Sequence, residues 1–532
     1  MNTIKSSKFN YFYFIIFFIF LSILFKVDYR YINELSCCGD DFDYYSHALT
    51  IAVDHDFDYS NQLTINSASF FIDGKIAPLG FFGTGMLSAP FLYIGDLLDK
   101  VFVGQPISYR VILYSLSSIF YLLLSICLIY SGLNKLKIYE NIYIFFLIIS
   151  GSGLAYYAFE RYSMTHVYEL FSISLIFNSV VNINILKNRK KYYFLLAFAL
   201  FIGISIRYTN YFLFILPFIF EKIYFKNNKK FKSFSSKYFL AFFSLFLFLF
   251  YYINIQIYGK FIVNPLNIYR ADSYRLTNYF NEINNIFDFF KINSKILFKI
   301  LFAQEFGIFW FSPIIFVGFI TSLFLLKNNK LSYFTRVLIV LVFLYNFGIV
   351  AVWSSTASSY GFRYLFSLIP VSLIIFYSFK KNTLFNLMNK YLLAFSFFGL
   401  ISIIFFESTK ITELSTVSVI NTFGKEDLYS NPTYLSGLIS SILDGSAYVK
   451  IFASSFLLFL FYSLTKSFIN LKSIIENLDF GVAASQKQKM IETLELYDEV
   501  SFVQVLIILL FILLFSYILT TKMKNNVIYK NY

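Results

Sequence analysis

Residues 9–25 read FNYFYFIIFFIFLSILF, a run without a charged side chain that follows Lys5 and Lys8. Similar apolar runs recur along the chain, and a helix needs about 20 such residues to cross a bilayer. The next residues, KVDYR, offer no small-residue cleavage site. The sequence therefore predicts an uncleaved first membrane helix with a cytoplasmic N-terminus.

The composition excludes an ordinary soluble enzyme. Of the 532 residues, 58% are hydrophobic and only 14% are charged, whereas a soluble domain carries about 25% charged residues. The net charge is +14, but the basic residues sit in short loops between apolar runs. That position favours a role in orienting the chain in membrane lipid, and no nucleic-acid partner is expected.

We predict an all-α polytopic membrane protein with about 11–13 transmembrane helices and a long first extracytoplasmic loop that contains short helices. After the first run, the predicted spans are 107–132, 140–159, 166–186, 192–206, 208–220, 238–258, 303–326, 337–355, 364–379, 391–406, 448–465 and 502–520. The pair 192–206 and 208–220 is short, which indicates two broken helices, or one helix and a re-entrant piece.

Lysine and arginine alternate between loops, and this alternation predicts the topology. Basic loops such as 187–191 and 221–237 fall on one side of the membrane if the first helix runs outward. Short basic loops face the cytoplasm. The acidic first loop, 26–106, and the later stretch 259–302 are then outside. The basic C-terminal tail breaks this alternation, as it would if 466–500 held an interfacial helix.

The chain divides into two predicted regions. Residues 1–326 form a transmembrane core that carries the first outer loop. Residues 327–532 form a C-terminal transmembrane module with outer loops near 353–363 and 407–447.

The first outer loop carries an adjacent pair of carboxylates, Asp40 and Asp41. Such a pair suits a general base and a neighbour that positions an acceptor or a metal ion. Tyr44 is four residues after Asp40, so the two share a face if the segment is helical. A solvated acidic loop is the alternative interpretation.

Three cations are candidate phosphate ligands. Arg207 lies between two apolar runs. An arginine at membrane depth is energetically costly, so it is a candidate functional residue by default. Arg363 offers a planar fork that suits phosphate. Both could instead anchor the ends of spans. Lys75 lies in a glycine- and proline-rich stretch, 74–90, which would either approach a phosphate or form a plain turn.

Two further residues stand at the entrances of predicted spans. Glu305 is either a site carboxylate or an interface residue, and the lone His166 favours a structural role over a zinc site because no second ligand is nearby.

The chain resembles the GT-C superfamily, polytopic glycosyltransferases that use polyprenyl-phosphate sugars and include protein O-mannosyltransferases and the aminoarabinose transferase of lipid A. The resemblance rests on Gly39-Asp40-Asp41 with Tyr44, followed by DHDFDYSN at 54–61. Weaker matches follow in order at 164–166 (MTH), 207–210 (RYTN), 306–313 and 353–363. Many bacterial members have Glu, His and Gly where this chain has Asp41, Asp43 and His55. The likeness covers roughly residues 1–370.

The resemblance implies transfer of a sugar from a polyprenyl-phosphate donor to an acceptor hydroxyl, with inversion, at the outer face of a bacterial inner membrane. The acceptor would be a glycan, a lipid or a protein. Asp40 would be the catalytic carboxylate and Asp41 its neighbour, the ligand of any divalent cation such as Mg or Mn. The remaining implied roles are donor phosphate binding by Lys75, Arg207 and Arg363, and substrate positioning by Tyr44, His166 and Glu305.

Two other classes of protein remain open. A secondary transporter or lipid-linked glycan flippase would place its carboxylates near mid-membrane, between repeats. An O-antigen polymerase or ligase would carry its large outer loop late in the chain. The carboxylates here crowd the first loop instead.

Overall fold

The computed structural model describes residues 40–406 with gaps, and residues 461–477 without 463. The gaps are 65–69, 73, 79, 105–107, 139, 187–188, 226–230, 263–282, 303–306, 328–330, 354–359, 381 and 383. Several predicted elements lie outside the described residues. They are the first span and, apart from isolated positions, the loop at 407–447 and the span at 502–520. Most of the predicted span at 448–465 also lies outside them.

The described part of the chain is mostly helical. Its helices are α1 (Asp40–Leu49), α2 (Gly83–Val101), α3 (Tyr109–Lys135), α4 (Ile142–Ile149), α5 (His166–Ile185), α6 (Lys190–Ile206), α7 (Leu216–Tyr224), α8 (Lys237–Tyr258), α9 (Ile286–Phe302), α10 (Ile308–Phe311), α11 (Pro313–Leu325), α12 (Tyr333–Trp353), α13 (Leu368–Ser378), α14 (Leu384–Phe406) and α15 (Leu471–Asn477). Two short strands, β1 (Phe70–Ile72) and β2 (Lys75–Ala77), form an antiparallel hairpin in which Phe71 faces Ile76.

Among the described residues, five helices are long and apolar enough to cross a membrane. They are Tyr109–Lys135, His166–Ile185, Lys237–Tyr258, Tyr333–Ala351 and Leu384–Ile403. Three shorter apolar helices are Ile142–Leu154, Pro313–Leu325 and Leu368–Ser378. The prediction of a helical membrane protein is thus confirmed, while the number of spans stays a prediction.

Helix α5 is the centre of the packing, and its side chains are buried from His166 to Ile183. It packs against α3, α6, α7 and α13. Helices in lipid gain little from hydrophobic burial and associate through small residues and interhelical hydrogen bonds. Accordingly, Ser172 Oγ donates to the Ala199 carbonyl of α6 at 2.8 Å, and Asn178 Nδ2 donates to the Leu128 carbonyl of α3 at 2.9 Å.

The span predicted at 140–159 is not one regular helix. Helix α4 ends at Ile149 and two π-helical turns follow, Ser150–Leu154 and Tyr156–Glu160. Gly153 adopts φ +113°, which an L side chain rarely tolerates. Gly151 in the first turn meets Gly399 of α14 so closely that a Cβ on either would overlap the other's helix. The glycines therefore let this segment pack closely against α14, while its backbone departs from a regular α-helix.

The short spans predicted at 192–206 and 208–220 are also interrupted in the structure. Helix α6 ends at Ile206, Arg207 is extended, and a 3-10 turn over Tyr208–Phe214 precedes α7. The 208–220 segment therefore leaves α-helical geometry at its start, in agreement with the prediction of a broken helix.

In the predicted first outer loop, the described residues include α1, the hairpin and α2. Helix α2 has 19 residues. Its first turn is pressed onto the membrane core, because a Cβ on Gly83 would overlap the backbone of Ser205 and Ile206 at the end of α6. Helix α1 is held in turn by Gly85, which packs against His47. Helix α9, in the predicted outer stretch 259–302, was not predicted.

Candidate active site

The two arginines predicted to bind phosphate both lie over one aromatic ring. The guanidinium carbons of Arg207 and Arg363 lie 4.7 and 5.4 Å from the ring centroid of Tyr364. Arg207 is the extended residue after α6, and Arg363 begins the 3-10 turn Arg363–Leu365. The electron-rich ring face attracts both cations and offsets part of their mutual repulsion.

A buried carboxylate supports this arginine pair. Glu169, in the first turn of α5, is 1% exposed, and its Oε1 lies 3.5 Å from Nη1 of Arg207. The same oxygen accepts a hydrogen bond from Asn210 Nδ2 at 3.2 Å. A buried carboxylate is costly unless a cation and hydrogen bonds compensate it.

His166 lies beneath the same cluster. Its ring is fully buried between those of Tyr157 and Phe366, with centroids 4.3 and 5.6 Å away. Its Nδ1 is 3.5 Å from Oε2 of Glu169. The histidine therefore contacts the carboxylate that contacts Arg207, which gives it a supporting position.

A second buried ion pair joins α1 to the segment that precedes α5. The Nη2 of Arg161 donates to Oδ2 of Asp41. Arg161 follows the second π-helical turn and opens the buried connection 161–165 that leads to His166. Burial is the largest influence on the pKa of the Arg161 guanidinium and lowers it, but the charge and hydrogen bond of Asp41 together with the charges of Tyr156 and Tyr157 outweigh burial and raise that pKa above its usual value. The guanidinium of Arg161 therefore stays charged.

The residue that the resemblance implies as the ligand of any divalent cation is engaged in an ion pair. Asp41, the expected ligand, already accepts from Arg161. Within the described part of the chain, no three His, Cys, Asp or Glu side chains are grouped closely enough to hold a metal ion.

Tyr44 of α1 lies near one member of the arginine pair. Its ring packs directly on Gly80, where a Cβ would overlap the ring, and its phenol lies within electrostatic range of Arg207. Asp40 is the first residue of α1, one helical turn before Tyr44. The side chain of Asp40 lies outside the described residues.

His47 fixes the other face of α1. Its Nε2 is 2.7 Å from the Gly80 carbonyl and its Nδ1 is 2.6 Å from the Tyr59 hydroxyl. A carbonyl only accepts, so Nε2 carries the proton and the Tyr59 hydroxyl donates to Nδ1. Burial lowers the pKa of His47 to about 4 against the smaller, opposing effect of the Gly80 carbonyl. Tyr258 of α8 also donates to that carbonyl, at 3.2 Å.

The two remaining predicted site residues are Lys75 and Glu305. Lys75 lies exposed in β2, beside Gly259 at the end of α8. Glu305 lies outside the described residues, as do positions 354–359 just before the arginine turn.

Sequence reasoning missed four residues that build the site: Arg161, Glu169, Asn210 and Tyr364. One signal was present, because an ionisable residue within an apolar run is a functional candidate, and Glu169 lies in such a run. Asp41, the partner of Arg161, and Arg207, which lies over the ring of Tyr364, are far away in sequence from these residues, and no spacing rule indicates the contacts.

The chain matches no family model, no curated protein and no solved structure.

Proposed function

We propose that the protein is an integral membrane glycosyltransferase that moves a sugar from a polyprenyl-phosphate donor to an acceptor hydroxyl, with inversion, at the outer face of the membrane. The observation that carries the proposal is the convergence of Arg207 and Arg363 on Tyr364, above the buried Glu169. A lipid-linked phosphate has an anionic group at the membrane surface and needs such a cationic site.

The arginine pair serves the leaving group. When the bond between the anomeric carbon and the phosphate oxygen breaks, negative charge grows on the lipid phosphate. Cations fixed in a poorly solvated site stabilise that developing charge without reorganising. Glu169 and Tyr364 hold the two guanidiniums in place before the donor arrives, so little ordering remains for the reaction itself.

The acceptor is served by the start of α1. The hydroxyl oxygen forms the new bond to the anomeric carbon, on the face opposite the phosphate, and its proton passes to a carboxylate. Asp40 is the base in this scheme. Helical spacing puts it on the face of Tyr44, whose phenol lies near Arg207. Asp41 orients the turn through Arg161 and does not take the proton.

Donor binding by lysine variants tests the arginine pair. Arg207→Lys and Arg363→Lys keep the charge but lose the planar fork that grips two phosphate oxygens. We expect each variant of the full-length protein in nanodiscs to bind a short-chain polyprenyl-phosphate sugar roughly tenfold more weakly, by about 1–2 kcal/mol, the scale of a charge-assisted hydrogen bond.

Arg336→Lys is the matched control. Its guanidinium also lies over a tyrosine ring, that of Tyr333 at 5.8 Å, but in the first turn of α12. It should bind the donor normally. If both site variants also bind normally, the arginines only anchor helix ends and the proposal fails.

A further inference from the structure

We infer that α9 is a membrane-surface helix whose lysine row binds the headgroups of anionic phospholipids. The lysine row is Lys291, Lys295 and Lys299. This inference concerns a surface away from the arginine pair and does not rest on the proposed reaction.

The lysine row follows from helical spacing. The three lysines are four residues apart and therefore lie along one side of α9. Another side is buried against the protein through Ile296 and Ile300, at 2% and 1% exposure.

Exposed aromatic side chains continue around α9 from one edge of the lysine row: Phe298 and Phe287 border the row, and Phe290 lies farther round. Phe287, Phe290 and Phe298 are 81%, 64% and 64% exposed. Such a surface is costly in water but favourable in lipid. A helix with a buried edge, an exposed aromatic face and a basic face has the pattern of an in-plane amphipathic helix.

Helix α9 is poorly suited to cross the membrane. Its 17 residues would span about 25 Å at the α-helical rise. The lysine row extends over much of that length, so a transmembrane path would put ammonium groups into hydrocarbon at a large cost. Lying in the plane, the helix inserts its aromatic face and leaves the lysines at the level of the lipid phosphates.

The end of α9 carries an independent marker of depth. The indole Nε1 of Trp310 donates to the carbonyl of Phe302, the last residue of α9, at 3.2 Å. Tryptophan is enriched at the boundary between lipid and water. The apolar helix α11 begins three residues later, at Pro313. The C-terminal end of α9 is therefore placed where the chain enters the membrane.

The charge of α9 selects the kind of lipid. Asp288 is its one acidic residue against three lysines, which gives a net charge of +2. A lysine near an anionic membrane surface contributes about 1 kcal/mol, a factor of roughly five in affinity. A zwitterionic surface offers no such gain, so the preferred partner is a lipid such as phosphatidylglycerol.

A depth measurement tests the orientation. Phe290→Cys and Lys295→Cys, each in a background with Cys37, Cys38 and Cys127 changed to Ser, are spin-labelled in the full-length protein in vesicles. We expect the label at 290 to be more accessible to oxygen and the label at 295 to a water-soluble nickel complex. Equal access of the nickel complex to both positions, or a label at 295 as deep as the label at 290, would overturn the in-plane orientation.

Lipid selectivity tests the lysine row. Full-length protein is reconstituted with equal amounts of phosphatidylglycerol and phosphatidylcholine, and the lipids that remain bound are counted by native mass spectrometry. We expect the triple Lys→Gln variant at 291, 295 and 299 to lose at least fivefold of its preference for phosphatidylglycerol. The triple Lys→Arg variant keeps the charge and should keep the preference. An unchanged preference in the glutamine variant, with normal folding, would refute lipid binding by this row.

Discussion

The buried ion pair between Asp41 and Arg161 should show strong energetic coupling. Their side chains are 1% and 7% exposed and lie 120 residues apart in the chain. Removing one member of such a pair leaves the other charge buried without its counter-charge, which typically costs about 3–5 kcal/mol. Replacing both by neutral side chains avoids that cost.

The perturbation is a double-mutant cycle with Asp41→Asn, Arg161→Gln and the double variant. We expect each single variant to lose about 3–5 kcal/mol in free energy of unfolding and the double variant to recover most of the loss. The coupling energy should then exceed about 2 kcal/mol, well above the 0.5 kcal/mol that separates additive sites. Unfolding is followed by titrating the full-length protein in mixed micelles with SDS.

An exposed pair provides the control. Lys100 pairs with Asp96 at 2.6 Å, but its side chain is 66% exposed, and Asp96 keeps Arg110 as a partner. Lys100→Met should therefore cost less than about 1 kcal/mol. Additive losses in the cycle at Asp41 and Arg161, or a loss no larger than that of Lys100→Met, would refute the assignment of a buried, charged pair.

Three further substitutions test the base, the helix contact and the acid response. Asp40→Asn removes the proton acceptor and should lower sugar transfer about 10²–10⁴-fold while donor binding persists; unchanged transfer by a folded variant would exclude this base. Gly151→Ala should lower the SDS midpoint of unfolding by overpacking worth about 1–3 kcal/mol, whereas Gly348→Ala, with open space around it, should be neutral or stabilising. His47 is neutral when folded because its pKa is lowered to about 4 from 6.5, so the unfolded chain binds more protons between these values. Its contribution is full above pH 6.5 and falls as the pH drops towards 4, by roughly 3 kcal/mol. His47→Phe should therefore flatten the pH dependence of unfolding in this window, and a slope equal to that of the unchanged protein would contradict this account.

The sequence predicted the long spans well because each is a continuous apolar run. The segments 107–132 and 238–258 were predicted, and the structure has α3 at Tyr109–Lys135 and α8 at Lys237–Tyr258. Hydropathy alone sets such boundaries, since a charged residue at either end is costly to bury.

Hydropathy failed where the backbone departs from a regular helix or where a helix lies along a surface. The run over 140–159 is apolar throughout its middle, yet Gly153 leaves helical geometry, and its tertiary contact with Phe366 is invisible in the sequence. Helix α9 was missed because its lysines interrupt the apolar run that a spanning helix would need. An in-plane helix follows a different pattern.

The candidate site was predictable in part for a similar reason. Arg207 and Arg363 stood out because a cation beside an apolar span is conspicuous. Their common contact with Tyr364 depends on how the end of α6 meets the turn before α13, and no local pattern encodes that meeting. The pairing of Asp41 with Arg161 is likewise a property of the fold.

The segment from Arg161 to Glu169 supplies the counter-charges for two otherwise separate parts of the site. At its start Arg161 holds Asp41 of the first loop, and at its end Glu169 holds Arg207. Every side chain between them that the structure describes is buried. A buried segment cannot shift at one end without disturbing the packing at the other. Asp41, which is next to the proposed base, and Arg207, which is proposed to bind the donor, are therefore held by one buried segment. This is what a reaction needs when its two substrates must meet at bonding distance.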